Sequence, residues 1–196
     1  MRKILILVVI GCVMALLFSR ANARAPQGAP AVGPQFTGDG KLVRPAEYRR
    51  WVYLSSGFGM SYSQKSGEPQ AFTNVFVTPA AYDYFVANGK WPDKTMFVLE
   101  IYGSSSHGSI NKNGSYQSEF EGLDVEVKDE KRFADKWAYF NYDASAKAAS
   151  AMTPSKNDCW KCHDSSAYVE HSFVQFYPEL LKIARAKGTI KPGLDK

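Results

Sequence analysis

Apolar and polar positions along this chain follow two periods. Residues 71–77 (AFTNVFV) are rich in β-branched and aromatic side chains and predict a strand. Residues 95–102 (TMFVLEIY) predict a second, with Thr95, Phe97, Leu99 and Ile101 on one face and Met96, Val98, Glu100 and Tyr102 on the other. Over residues 119–127, Leu123, Val125 and Val127 share a face. Gly122, Asp124 and Glu126 share the opposite one, which the alternation assigns to water. Residues 137–142 (WAYFNY) predict a fourth strand, and residues 58–63 a shorter one.

The helical period appears three times. Residues 45–53 carry Tyr48, Trp51 and Val52 at i, i+3 and i+4. Residues 80–87 follow Thr78 as N-cap, show Tyr82, Phe85 and Val86 as the apolar stripe, and stop at Gly89. Residues 177–187 open with Pro178 and stop at Gly188. Between these lie turns at 65–70 and 91–94, a long polar loop at 103–115, a short helix or turn at 128–134, and a polar connection at 143–158. Antiparallel strands alternating with short helices make the class α+β, mainly antiparallel sheet, and no internal repeat is visible.

The ends change the picture. Arg2-Lys3, an apolar run from Ile4 to Phe18 and Ala21-Asn22-Ala23 have the order of a secretory signal peptide cleaved after Ala23. The apolar run is short for a membrane span. Val9-Ile10-Gly11-Cys12 also resembles a lipoprotein box with Cys12 as the lipidated residue, but the apolar run continues past it. Cleavage removes Arg2, Lys3 and Arg20 and lowers the formal charge from +5 to +2. With no basic cluster, nothing points to nucleic acid. Residues 24–36, rich in Pro, Ala and Gly, read as a flexible linker. Residues 37–188 then form one domain and 189–196 a tail. The expected compartment is the periplasm.

The chemistry concentrates in Cys159-Trp160-Lys161-Cys162-His163. C-x-x-C-H is the spacing of c-type haem attachment: two thiols reach two vinyl groups of one haem, and the adjacent histidine is an axial iron ligand. Competing readings are a redox dithiol or disulfide, which an oxidising compartment permits, and half a zinc site. The dithiol lacks a surrounding βαβ pattern. The zinc site lacks a second ligand pair, since only His107 and His171 remain and neither has the spacing. The expectation is one covalent haem c through Cys159 and Cys162, with His163 on the metal.

With these pieces in order, the chain resembles the cytochrome P-460 family, which includes hydroxylamine-oxidising cytochromes and the gas-binding cytochromes c′-beta. The similarity rests on Tyr48-Arg49-x-Trp51-Val52, Phe76-Val77-x-Pro79-x-x-Tyr82, Gly122-Leu123 and the run from Val127 to Ala134. It continues through Trp137-Ala138, the cysteine motif and Phe176-Tyr177-Pro178-x-Leu180. The resemblance implies an exported homodimer with a sheet-based haem pocket, His163 proximal and the distal side open. It also places Leu99 where the oxidases carry a lysine cross-linked to the haem edge. Leucine has no nucleophilic nitrogen, so that link cannot form there, and Lys90 and Lys94 fall in the preceding turn as surface residues. The family's distal carboxylate falls on Asp124, one methylene shorter than glutamate.

Two functions follow from the resemblance. With Leu99, Phe97 and Ile101 on one strand face, an apolar five-coordinate site suits nitric oxide or carbon monoxide, the cytochrome c′-beta reading. Phe58, Phe72, Phe76 and Phe97 are candidate distal aromatics. The alternative is an enzyme oxidising hydroxylamine with Asp124 as catalytic proton acceptor, passing electrons to a periplasmic partner. Plain electron transfer would need a sixth ligand, and Met60, Met96 and Met152 occupy no ligand motif. His171, eight residues after His163, falls near the same face if the helix continues, and His107 lies in the polar loop.

Overall fold

The computed structural model describes residues 33–60, 70–152 and 158–195. The expected leader, most of the linker, nearly all of the 65–70 turn and the end of the connection before the cysteine motif lie outside these residues. In chain order the elements are β1 (Leu42–Val43), a 3-10 turn (Tyr48–Arg50), β2 (Val52–Phe58), β3 (Phe72–Val77), α1 (Pro79–Asn88), β4 (Met96–Ser105) and β5 (Tyr116–Lys128). After these come β6 (Trp137–Asp143), β7 (Ala148–Ala149), α2 (Asp158–Ser166), a 3-10 turn (Val174–Phe176) and α3 (Pro178–Lys187).

Strands β2 to β6 form one five-stranded sheet in chain order, with each neighbouring pair antiparallel. β1 and β7 pair as a separate two-stranded ribbon. This is the α+β, mainly antiparallel architecture that the pattern implies. Strands in chain order need only hairpin-type connections, apart from α1 between β3 and β4.

The two faces of the sheet carry separate cores. Alternate residues Met96, Val98, Leu123, Val125, Val127, Ala138, Phe140 and Tyr142 pack with Leu42, Tyr48 and Trp51. On the other face Val77, Phe97 and Trp137 pack against α1 through Ala81 and Phe85, and against α3 through Leu180 and Ala184. Burying each large side chain of this kind contributes roughly 1.5–3 kcal/mol. On the same face α2 meets β6, where Tyr139 packs on His163.

Several boundaries differ from the sequence expectation. Residues 45–53 are not a helix: one 3-10 turn buries Tyr48 and Trp51 at i and i+3, and Val52 already begins β2. Strand β2 therefore ends at Phe58, where the pattern places a strand start, and residues 61–63 of that expected strand lie outside the described residues. The hairpin extends further into the 103–115 loop, with Ser104 opposite Gln117 and Ser105 opposite Tyr116. Backbone pairing needs no apolar side chain, so the serine run hides it. Residues 128–134 are a turn, where Asp129 Oδ1 accepts the backbone N–H groups of Lys131 (3.2 Å) and Arg132 (3.0 Å).

Helix α1 keeps its predicted position. It ends at Gly89, whose left-handed φ of 69° suits glycine. Thr78 stands at its N-cap without a side-chain capping bond, and the buried stripe is Ala81 and Phe85, with Val86 exposed.

Candidate functional site

α2 carries Cys159, Cys162 and His163. Positions i and i+3 lie on one side of a helix, so both thiols are presented together. Cys159 is exposed, while Cys162 and His163 are half-buried. Burial, then the nearby Asp124 charge, raise the Cys159 thiol above its ordinary pKa.

The His163 ring is held from several sides. Its Nδ1–H donates to the backbone carbonyl of His171 at 2.6 Å, and Glu126 Oε1 lies 2.5 Å from the same nitrogen. The rings of Phe173 and Tyr139 stand 4.3 and 4.7 Å away, centroid to centroid. A carbonyl can only accept, so Nδ1 carries the proton and Nε2 is the nitrogen available to a metal. Burial disfavours the imidazolium, but the Glu126 charge and the two Nδ1 contacts outweigh it and raise the His163 pKa.

His171 reaches this place by a turn, since α2 ends at Ser166 and Ser172 bridges back to Val169. The helical extrapolation from His163 put it in the right neighbourhood by the wrong route. Its Nδ1 lies 3.2 Å from Tyr139 Oη, and its ring stacks on Trp137 and contacts Trp160. Burial, then the Lys191 charge, push it down to about 4, so it is neutral at pH 7.

Cross-strand register places the sheet residues. One row runs Val75, Leu99, Asp124, Asn141; the next runs Val77, Phe97, Glu126, Tyr139. Cross-strand partners project from the same face, and the Tyr139–His163 ring contact shows that this face meets α2. Leu99, Val75 and Ile101 are half-buried. Asp124 accepts from Asn141 Nδ2 at 2.7 Å. Asp124 keeps solvent contact, yet partial desolvation raises its carboxyl against the lowering effects of Asn141 and the His163 charge.

The remaining candidates scatter. Phe97 is 3% exposed among Trp91, Trp137 and Tyr177, inside the second core. Phe72 pairs with Tyr102 and Phe76 with Val98, so both lie on the face opposite Leu99, and Phe58 stacks on Phe72 at 4.4 Å. As caps beside Leu99 these three are ruled out by register. Met96 is buried in the first core, while Met60 and Met152 are exposed. His107 lies exposed in the hairpin loop, and Lys94 pairs with Asp129.

The sequence pattern misassigns Glu126. Alternation sends it to water, yet its side chain is only 12% exposed against His163. The available signal is that Asp124 and Glu126 share a face: once one approaches the histidine, so does the other. Tyr139 and the His171 carbonyl carry no local signal.

These residues fit a c-type haem. The thiols share a helix side, the histidine has one nitrogen held and the other available, and a half-buried apolar strip lies on the same sheet face. The buried indole nitrogen of Trp160, inside the motif, has no acceptor among the described residues. Those residues also bring no three His, Cys, Asp or Glu side chains together as a metal-holding cluster.

Such a thiol–thiol–histidine helix laid on an antiparallel sheet defines a haem cytochrome. The chain belongs to the cytochrome P460 family, whose model matches residues 45–174, 130 of the 196. That membership implies a c-type haem cofactor. A search of curated proteins finds no match.

Proposed function

We propose that this is an exported mono-haem cytochrome that binds small neutral gases, nitric oxide or carbon monoxide. Cys159 and Cys162 would hold the haem covalently, and His163 Nε2 would ligate an iron left without a second protein ligand. The carrying observation is Leu99, an aliphatic side chain in the row beside Asp124 and flanked by Val75. It offers neither a ligand nor a nucleophile, so the strip selects by size and polarity. Bound haem supplies an open iron position for a diatomic ligand, and distal polarity and access decide which ligand enters. Residues 1–23 direct export to the periplasm, and the functional unit is a homodimer.

A second reading is favoured by Asp124 itself. Its carboxylate stands next to Leu99 on the face that meets α2, and partial desolvation raises its proton affinity. That suits a proton acceptor for hydroxylamine oxidation in the manner of a cytochrome P-460. Electrons would then pass to a periplasmic acceptor.

The deciding experiment is the spectrum of the reduced holoprotein with and without nitric oxide, paired with steady-state hydroxylamine oxidation using an artificial acceptor. A five-coordinate ferrous spectrum that changes on adding nitric oxide, without turnover, supports gas binding. Sustained turnover overturns it in favour of the oxidase. Absence of thioether-linked haem from the purified protein sinks both readings.

A further inference from the structure

Neither reading of the distal side uses Glu126, which is an unusual residue to bury. It sits in the row Val77, Phe97, Glu126, Tyr139, with an apolar or aromatic neighbour on each side. Its Oε1 is buried and makes no hydrogen bond of good geometry among the described residues. The ionisable nitrogen beside it is His163 Nδ1 at 2.5 Å. A largely desolvated carboxylate is strongly disfavoured unless something compensates. The nearby cation Lys128 is committed elsewhere, donating to the Trp91 carbonyl at 2.7 Å and pairing with Glu170 at 2.8 Å. Glu126 is therefore aimed at the imidazole.

The His163 Nδ1–H points to the His171 carbonyl, and the Glu126 carboxylate stands 2.5 Å from the same nitrogen as its charged neighbour. A neutral carbonyl fixes ring orientation. A carboxylate at the same N–H also draws the proton away and makes the opposite nitrogen a stronger donor. We propose that Glu126 is a positioning residue for His163: it fixes Nε2 as the metal-facing nitrogen and strengthens it as a ligand, favouring the ferric over the ferrous state. Tyr139, next in the row, supports this arrangement by packing on the His163 ring and bonding to His171.

The inference rests on His163 being the axial ligand. It is tested on haem-loaded full-length protein carrying Glu126→Gln or Glu126→Asp. Three readouts are taken: covalent haem content by pyridine haemochrome, midpoint potential by spectroelectrochemical titration, and the ferrous iron–histidine stretch by resonance Raman. Glu126→Gln keeps shape and removes charge, so the potential should rise and the stretch should fall to lower frequency. Glu126→Asp should fall between it and the wild type. Unchanged potential and stretch in haem-loaded Glu126→Gln overturn the proposal. So does a change in nitric oxide affinity alone, which would place Glu126 on the ligand side. If neither variant loads haem, the wild-type stretch decides. A frequency typical of carboxylate-coupled histidine supports the role, and one typical of carbonyl-bonded histidine overturns it. Wild-type protein without covalent haem defeats the proposed function instead, so the two failures are distinguishable.

Discussion

Leu99 on β4 and Asp124 on β5 are direct cross-strand partners, on the sheet face that meets α2. Partners of this kind have Cβ atoms about 4.5–5.5 Å apart, so whatever occupies position 99 stands beside the carboxylate. The wild-type ferrous protein should show no red-shifted Soret band of the cross-linked type. Leu99→Lys restores an amine at the position where the family resemblance places the cross-linking lysine. Its ferrous Soret band should move to the red in the linked fraction. A red-shifted wild-type band would remove the significance given to Leu99.

Asp124 should trade stability for chemistry. Its folded pKa is raised mainly by partial desolvation, so the folded state disfavours the carboxylate, though the residue stays exposed and solvent screens part of the effect. The resulting penalty is absent at low pH, where both states are protonated, and grows as pH rises from the ordinary carboxylate pKa through the raised one. Asp124→Asn keeps an acceptor for Asn141 and removes the charge. Its holoprotein should melt higher than wild type at pH 7, with the advantage vanishing below the ordinary carboxylate range. If Asp124→Ala leaves both gas affinity and any hydroxylamine turnover unchanged, Asp124 has no role at the distal side.

What the sequence made legible was whatever a local period or spacing encodes. The faces of β4 and β5, the end of α1 at Gly89 and the place of the cysteine motif near the C-terminus were all readable, but not the helix that carries the motif. Rules of alternation, however, say which residues share a face and not what covers it. They grouped Asp124 with Glu126 and assigned both to solvent, which holds for the exposed Asp124 and fails for Glu126, because the covering element, α2, lies some 30 residues downstream in sequence. Phe58, Phe72 and Phe76 fall on the face opposite Leu99 for a related reason. Aromatic character is visible in the chain, but the register that turns Phe76 towards Tyr48 is set by pairing with β4. At residues 45–53 the i, i+3, i+4 spacing was real, but a single buried turn satisfies it as well as a helix does.

The face opposite the site is pinned by a buried carboxylate. Glu100 is 3% exposed and accepts from Tyr48 Oη at 2.7 Å, Arg49 Nε at 2.7 Å and Asn74 Nδ2 at 3.0 Å. Removing a partner leaves charge unsatisfied in the interior. Arg49 is itself more than half exposed, so solvent screens part of the pair. Arg49→Ala should cost about 1–3 kcal/mol in urea unfolding. Glu100→Gln, which removes the buried charge along with its attraction, should cost less than Glu100→Ala. Equal stability of Arg49→Ala and wild type would show that Tyr48 and Asn74 suffice.

Asp129 should govern the acid limit of the β5–β6 turn. Burial alone would raise its carboxyl, but Lys94 and the N–H groups of Arg132 and Lys131 lower it below its ordinary value. A depressed folded pKa means that the stabilisation is complete above the unfolded pKa of about 3.9. It is lost as pH falls through that value towards the folded one. Asp129→Asn should therefore be less stable than wild type at pH 7, since the amide keeps an acceptor for the turn but loses the Lys94 pair. The difference between the two should shrink as pH falls below the ordinary carboxylate range. Lys94→Ala should reproduce part of the loss. A pH-independent difference between Asp129→Asn and wild type would place the effect in the geometry of the turn and not in the charge.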